Sequence, residues 1–120
     1  MAIRCLIVDD NASFLEEAAA LLQRDGLVIA GVASNTREAL ERAQQLQPDV
    51  ALVDISLGSE SGLELARRLV EIDGGGPTVI LISTHAETDF AELIEEAPVA
   101  GFVHKAELSA SAIHRLVGAA

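Results

Sequence analysis

The stretch RCLIVDD, residues 4–10, is an apolar run that ends on two adjacent carboxylates, Asp9 and Asp10. Three later apolar runs also end on a polar side chain: VALVD (50–54) on Asp54, TVILIS (78–83) on Ser83 and VAGFVHK (99–105) on Lys105. In a parallel α/β sheet the carboxyl ends of all strands lie at one edge, and such folds build their sites there. The sequence therefore predicts that five polar side chains, far apart in the chain, converge in one pocket.

Five apolar runs alternate with helical patterns along the chain, beginning near Ile3, Leu27, Val50, Thr78 and Val99. The run TVILIS is apolar on both faces, which is typical of a strand covered by helices on both sides. Short connections and right-handed crossovers favour a doubly wound α/β fold with a five-stranded parallel sheet and five helices. Five such β-α units fill the 120 residues, so we predict a single domain over residues 1–120.

Three helix starts carry a capping residue followed three positions later by a carboxylate, as in a capping box. The pairs are Ser13 with Glu16, Asn35 with Glu38, and Ser61 with Glu64. They predict helices over about 13–23, 36–46 and 62–72, and the remaining patterns predict two more over about 87–96 and 107–117.

The composition narrows the choice of partners. With 19 acidic and 8 basic residues, the formal net charge is −11. Nucleic acid and anionic lipid bind through Lys and Arg contacts with phosphates, so we expect no direct nucleic-acid binding and no membrane partner. No apolar stretch has the length of a membrane span, and no signal peptide pattern is present. The single cysteine, Cys5, lies in an apolar run, which favours a buried structural thiol and a reducing, cytoplasmic location.

The predicted pocket concentrates negative charge. Asp9, Asp10 and Asp54 would raise one another's pKa unless a cation offset their repulsion. Mg²⁺ suits such a set because it takes oxygen ligands, uses one or two carboxylates and keeps several waters. A helix cap is the alternative for the Asp9–Asp10 pair. Since Ser13 already supplies a predicted cap, the metal site is the favoured interpretation.

The other two strand-end residues point to phosphoryl chemistry. A carboxylate such as Asp54 beside a divalent cation is a workable nucleophile towards phosphorus and gives an acyl phosphate. Phosphoryl transfer depends mainly on in-line positioning and charge neutralisation. Lys105 offers a point charge for phosphoryl oxygens, and Ser83 offers a hydroxyl donor.

At these residues the chain resembles the receiver domain of two-component response regulators, and the resemblance covers nearly all of it. The motifs are the acidic pair that ends the first strand, LVDISL around Asp54, and GFVHK leading to Lys105. The separations between Asp54, Ser83 and Lys105 also match those of the family. The resemblance implies a flavodoxin-like sheet with strand order 2-1-3-4-5.

The resemblance also implies roles for the pocket. Asp54 would accept a phosphoryl group from the phosphohistidine of a sensor histidine kinase or phosphotransfer protein. Asp9, Asp10, Asp54 and the backbone carbonyl of Ser56 would hold Mg²⁺, and Lys105 would contact the phosphoryl group.

A switch is implied as well. Ser83 would shift towards the phosphoryl group, with Thr84 as a rival for this hydroxyl role, and Phe102 would rotate inward. Such members present the fourth helix, fifth strand and fifth helix to partners, including a second copy in phosphorylation-dependent dimers. The domain itself would be a phosphoacceptor with self-catalysed transfer and not a metabolic enzyme.

Several positions depart from the family pattern. Gly58 and Ala106 stand where proline is common, and Phe102 stands where Tyr is common. The isomer of the Lys105–Ala106 bond is left open, since a cis bond without proline costs about 2.5–4 kcal/mol. Ser56 and His85 occupy the positions that tune acyl-phosphate lifetime in the family. His85 is a candidate pH-sensitive modulator, or else a solvated loop residue.

Two alternatives remain beside a phosphorylated receiver. A degenerate receiver would bind partners without phosphorylation, although all five pocket positions hold competent residues. A phosphohydrolase would need a second acid/base aspartate where Ser56 stands, and also a cap domain. The stretches GLVIAGVASNTREAL and KAEL resemble receivers that precede a helix-turn-helix DNA-binding domain, so the chain is either free-standing or part of a transcription factor.

Overall fold

The structure is a computed structural model that describes residues 2–118, with the side chains of all but residues 87 and 88. Its main sheet has five parallel strands: β1 Arg4–Val8, β2 Val28–Ala33, β3 Val50–Asp54, β4 Thr78–Ser83 and β5 Gly101–His104. Their order across the sheet is 2-1-3-4-5, as predicted. The order reverses beside β1, and this places β1 and β3 side by side at the centre, where doubly wound folds build their sites.

Five α-helices connect the strands within the described residues: α1 Ala12–Arg24, α2 Thr36–Leu46, α3 Gly62–Val70, α4 Ala91–Glu96 and α5 Ala110–Gly118. Short 3₁₀ turns, Glu87–Phe90 and Lys105–Glu107, precede α4 and α5. None of the helices described is long and apolar enough to cross a membrane.

The core has two layers, one on each face of the sheet. Along β1, Cys5 and Ile7 pack with α1 and α5, whereas Leu6 and Val8 pack with α2 and α3. This alternation explains why the strands are apolar without a polar side. Burial raises the pKa of the Cys5 thiol to about 12, so this thiol stays protonated and belongs to the core.

The helix starts agree with the predicted caps in two of three cases. Asn35 and Ser61 accept from the backbone amides of Glu38 and Glu64, at 2.9 and 3.3 Å. The cap of α1 is Asn11 and not Ser13: Asn11 Oδ1 accepts from the backbone amide of Phe14 at 3.1 Å. The cap therefore lies two residues earlier than predicted, and it satisfies the amide of Phe14 where a Ser13 cap would have satisfied that of Glu16.

The last two helices begin later than predicted. Residues 87–90 form a 3₁₀ turn, and α4 is a short helix of six residues. The fifth helix starts at Ala110 because Ser109 Oγ accepts from the amide of Ala112 at 3.1 Å and so caps it.

A small antiparallel hairpin follows β3 and pairs Ser56–Leu57 with Glu60–Ser61; we call it the β3–α3 hairpin. It was not predicted. Its Glu60 carboxylate accepts from the backbone amide of Thr36, the first residue of α2, at 2.8 Å. The hairpin therefore connects the end of β3 to the start of α2.

Gly62, the first residue of α3, lies against the backbone of β3. Its amide donates to the Ile55 carbonyl at 2.8 Å, and a Cβ at this position would overlap the Asp54 carbonyl oxygen. We expect Gly62→Ala to lower the free energy of unfolding by about 3 kcal/mol, since backbone atoms cannot yield as a side chain can. Urea denaturation measures the change.

The matched control is Gly118→Ala, whose new methyl group would enter open space in α5. Its free energy of unfolding should equal that of the wild type or exceed it by up to about 1 kcal/mol, because Ala favours a helix more than Gly does. Equal unfolding midpoints for the two variants would contradict the close packing of α3 on Asp54.

Candidate functional site

Three carboxylates meet at the carboxyl edge of the sheet. Asp9 directly follows β1, and its amide donates to the Ala33 carbonyl at the end of β2, at 3.0 Å. Asp54 is the last residue of the neighbouring β3. Carboxylate oxygens of Asp9, Asp10 and Asp54 all lie within 4.8 Å of one another. Asp9 is fully buried, Asp54 is 7% exposed and Asp10 faces solvent.

Lys105 reaches this cluster from the end of β5. Its ammonium Nζ donates to Asp54 Oδ2 at 2.9 Å and lies 2.5 Å from Asp9 Oδ2. The contact with Asp9 is an ion pair without an aligned hydrogen bond, because Asp9 Oδ2 is a buried oxygen with no hydrogen-bond partner among the described residues. The Lys105 side chain is only 13% exposed, so its charge is held inside the site.

The two buried carboxylates are oriented by backbone amides. Asp9 Oδ1 accepts from the amide of Asn11 at 2.9 Å, and Asp54 Oδ1 accepts from the amide of Ser56 at 3.0 Å. In each case the donor lies two residues further along the chain. One oxygen of each carboxylate is thereby fixed, and the Oδ2 atoms of both face Lys105.

The pKa values of Asp9 and Lys105 are both raised by their surroundings. Burial raises the pKa of Asp9; the contact with the Lys105 ammonium and the hydrogen bond from Asn11 oppose the rise, and the charge of Asp54 adds to it. Burial alone would lower the pKa of Lys105, but its ion pair with Asp9 and its hydrogen bond with Asp54 outweigh burial and raise it. One firmly protonated ammonium therefore faces three carboxyl groups.

The donor set fits a hard divalent cation. The buried Asp9 Oδ2 makes no aligned hydrogen bond and has only the Lys105 ammonium beside it, so it is free to serve as a ligand together with two further carboxylates nearby. Oxygen donors at this number and charge suit Mg²⁺, which the sequence predicts. The backbone amide of Ser56 is engaged by Asp54, and the role of its carbonyl as a fourth ligand stays a prediction.

The loop beside the cluster is shaped by a glycine. Gly58 has φ +62°, and a Cβ there would lie 3.3 Å from Asp10 Oδ2. Proline, common at this position among proteins that the sequence resembles, has its φ fixed near −65° and cannot adopt this backbone. The loop after Asp54 consequently differs from a proline-containing one. No cis peptide bond occurs within residues 2–118, so the bond between Lys105 and Ala106 is trans.

Ser83 lies at the end of β4, buried between β3 and β5. Its Oγ accepts from the amide of His85 at 2.9 Å, and the His85 Nδ1 atom is 3.5 Å from the same oxygen. The ring of His85 stands edge-on to Phe90, with the two centroids 6.0 Å apart. The rival residue Thr84 is exposed. The Ser83 hydroxyl is thus engaged within its own loop, and the exposed His85 links that loop to the 3₁₀ turn before α4.

Phe102 projects from β5 as a partly buried ring against the α2/α3 layer of the core. It also lines a cavity of about 330 Å³ between β5 and α5, with Ala86 and Arg115 at its border. The predicted switch residue therefore lies between the core and the surface formed by β5 and α5.

Three contacts were missed from the sequence, two made by His104 and one by Phe14. His104 Nδ1 accepts from the amide of Ala106 at 3.0 Å, and its Nε2 lies 2.8 Å from the carbonyl of Thr84. Because Nδ1 is the acceptor, Nε2 carries the hydrogen and donates to Thr84. His104 thus ties the loop after Ser83 to the turn that begins at Lys105. The ring of Phe14 lies under the Lys105 ammonium. A lone His in a strand and a Phe on a helix stripe carry no sequence signal for these contacts.

Asp9→Asn should stabilise the metal-free protein at neutral pH by about 1 kcal/mol, because Lys105 keeps Asp54 as its partner while a buried charge is removed. A carboxyl group whose pKa is raised on folding costs stability when ionised; the cost shrinks as the pH falls through the folded-state pKa and is gone below the ordinary value of 3.8. The advantage of the variant should therefore shrink on acidification. Lys105 does not interfere, since its raised pKa confines its effect to pH above its ordinary value of 10.5.

Urea unfolding without divalent cations, from neutral pH downwards, measures both effects. Asp73→Asn, at an exposed carboxylate between α3 and β4, serves as the control and should differ little from the wild type. A destabilised Asp9→Asn protein at neutral pH would show that the ionised carboxylate stabilises the fold.

Comparisons with known proteins agree with this geometry. The family model described as response regulator receiver domain matches residues 5–117. Response regulator GacA of Pseudomonas viridiflava is 32% identical over 104 residues, which are 86% of this chain and 48% of that protein. The chain spans between a quarter and a half of the length of several other curated relatives that it matches.

Solved structures support the same assignment. A two-component response regulator of the LuxR family from Aurantimonas sp. SI85-9A1 superposes with a TM-score of 0.87 at 26% identity, covering 99% of this chain and 87% of that one. A Burkholderia pseudomallei response regulator, solved with a phosphorylated aspartic acid, calcium ion and citrate, gives 0.81 at 25% identity, covering 95% and 66%. With its doubly wound sheet and the acidic cluster beside Lys105, the chain belongs to the receiver domain family of two-component response regulators.

Proposed function

We propose that this receiver domain is switched by phosphorylation of Asp54, with a sensor histidine kinase or a phosphotransfer protein as donor. The observation that supports it best is the environment of the Asp54 carboxylate. One oxygen is fixed by the Ser56 amide, and the other is bonded to a buried ammonium. The Burkholderia regulator, solved with a phosphorylated aspartic acid and a calcium ion, supports the same chemistry.

In the proposed reaction an oxygen of Asp54 attacks the phosphorus of a phosphohistidine. A C–O–P linkage forms, the N–P bond breaks, and the electron pair leaves with the imidazole. Lys105 Nζ lies 2.9 Å from the attacking carboxylate and is placed to bond the phosphoryl oxygens. Asp9, Asp10, Asp54 and the Ser56 carbonyl would hold Mg²⁺, which neutralises phosphoryl charge when bound.

The switch would begin at Ser83. Its hydroxyl oxygen accepts from the His85 amide, which leaves the O–H to donate to a phosphoryl oxygen, and a shift of Ser83 towards that oxygen would pull on the loop of residues 83–85. His85 contacts Phe90 at the start of α4, and His104 ties Thr84 to the turn after β5. These contacts connect the pocket to Phe102 and to the surface of α4, β5 and α5. We propose this surface as the partner and dimer interface.

Receiver domains of this family are generally not enzymes, and we propose the same for this one beyond its own phosphorylation and dephosphorylation. Relatives such as GacA are about twice as long as the match. A C-terminal DNA-binding effector domain is accordingly our proposal for the output, with the whole protein in the cytoplasm. The acidic composition supports nucleic-acid binding through such a domain and not through the receiver itself.

Incubation with Mg²⁺ and acetyl phosphate should add one phosphoryl group to the wild-type protein, and intact-mass spectrometry detects it. Asp54→Asn should abolish the gain, because an amide is no nucleophile towards phosphorus. The control Asp73→Asn should gain the group as the wild type does. If the wild type gains no phosphoryl group from acetyl phosphate or from its kinase, the alternative holds, namely a degenerate receiver that binds partners without phosphorylation.

Ser83→Ala should still accept the phosphoryl group but respond less to it. Loss of one hydrogen bond, about 1 kcal/mol, would shift the active-to-inactive ratio about fivefold towards the inactive state. NMR shifts of backbone amides in α4 and β5, before and after phosphorylation, report the ratio. Ser83→Thr keeps the hydroxyl and should respond like the wild type; an unchanged response of Ser83→Ala would exclude Ser83 from the switch.

A further inference from the structure

The Lys105 ammonium has a third partner besides the two carboxylates. Its Nζ atom lies 4.4 Å from the centroid of the Phe14 ring, a separation typical of a cation–π contact. Two carboxylates and one ring face thus lie within 4.4 Å of the ammonium. With only 13% of the Lys105 side chain exposed, the ring stands where water would otherwise solvate the charge.

Phe14 is itself held in place. Its backbone amide donates to Asn11 Oδ1, the cap of α1, at 3.1 Å, and its ring packs against the α1/α5 layer of the core. The same short loop carries Asp9, whose Oδ1 accepts from the Asn11 amide. One capping residue therefore fixes both a carboxylate and the ring that flank the ammonium.

The three partners differ in what the reaction does to them. Phosphorylation converts the Asp54 carboxylate into an acyl phosphate, so the negative charge that holds Lys105 there moves to the phosphoryl oxygens. Asp9, with an oxygen that lacks a hydrogen bond, is a proposed metal ligand. The face of Phe14 is chemically unchanged throughout, and it keeps its attraction for the ammonium while Lys105 moves from carboxylate to phosphoryl oxygen.

We propose that Phe14 is a positioning residue for Lys105, holding its ammonium over the acidic pocket by a cation–π contact. The consequence for phosphorylation rests on the proposed function, whereas the contact itself does not. A ring face is needed and not just apolar bulk, so Tyr should replace Phe14 and Leu should not.

The test compares Phe14→Tyr and Phe14→Leu in two measurements. In NMR spectra of the unphosphorylated protein, the Lys105 ε-methylene protons should show a ring-current shift in the wild type and Tyr variant that is lost in the Leu variant. In the acetyl phosphate assay the Leu variant should be phosphorylated about tenfold more slowly, which corresponds to about 1.4 kcal/mol of activation free energy. The rate of the Tyr variant should lie within about twofold of the wild-type rate.

A double-mutant cycle separates positioning from loss of packing. In a Lys105→Met background, Phe14→Leu should have no further effect on the rate, since no ammonium remains to be positioned. An equal slowing in both backgrounds, or Lys105 signals and rates unchanged by Phe14→Leu, would overturn the inference. The two proposals can also fail separately. If the wild type never gains the phosphoryl group, but the Lys105 signals change in Phe14→Leu and not in Phe14→Tyr, the proposed function is refuted while Phe14 remains the residue that holds Lys105.

Discussion

The buried contact between the Lys105 ammonium and the carboxylates of Asp54 and Asp9 is the interaction on which the site depends. Two neighbouring carboxylates at the end of an apolar sheet repel each other and lose hydration, and both effects disfavour their charged forms. Lys105 offsets part of this cost but brings one positive charge to three carboxyl groups. The remaining negative potential suits the pocket to a divalent cation.

The fold supplies the rigidity that such a charged arrangement requires. β1 and β3 are buried on both faces and paired along their length, so the residues that follow them can shift little. Backbone amides two residues further on then fix one oxygen of each carboxylate. The reactive groups are therefore held by the central strands, while the residues of the proposed switch lie on the loops and at the edge strand β5.

The fold and the core of the site could be predicted because both depend on periodic and local patterns. Two-sided apolar runs indicate covered parallel strands, and parallel strands must end at one edge, so the meeting of Asp9, Asp54 and Lys105 follows from topology. The α1 cap was misassigned, because Asn11 and Ser13 are both good capping residues two positions apart and only the exit angle of β1 decides between them.

The features that were not predicted arise from long-range packing. The β3–α3 hairpin has no strand signal in its own sequence. His104 acquires its two hydrogen bonds only because the loop after β4 lies beside the turn after β5. The contact of Phe14 with Lys105 joins residues from opposite ends of the chain, and nothing near Phe14 in sequence specifies it.

The contact of Gly62 with the Asp54 backbone connects the acidic pocket to helix α3, in addition to its connection with α4, β5 and α5. Helix α3 starts with no side chain between it and the carbonyl of Asp54, and the hairpin that leads into α3 holds the first amide of α2 through Glu60. A displacement of the Asp54 backbone would therefore meet the start of α3 directly, without a compressible side chain to absorb it. The helices on the far side of the sheet from α5 are thus tied to the position of Asp54 by backbone contact at Gly62 and, through Glu60, at the first residue of α2.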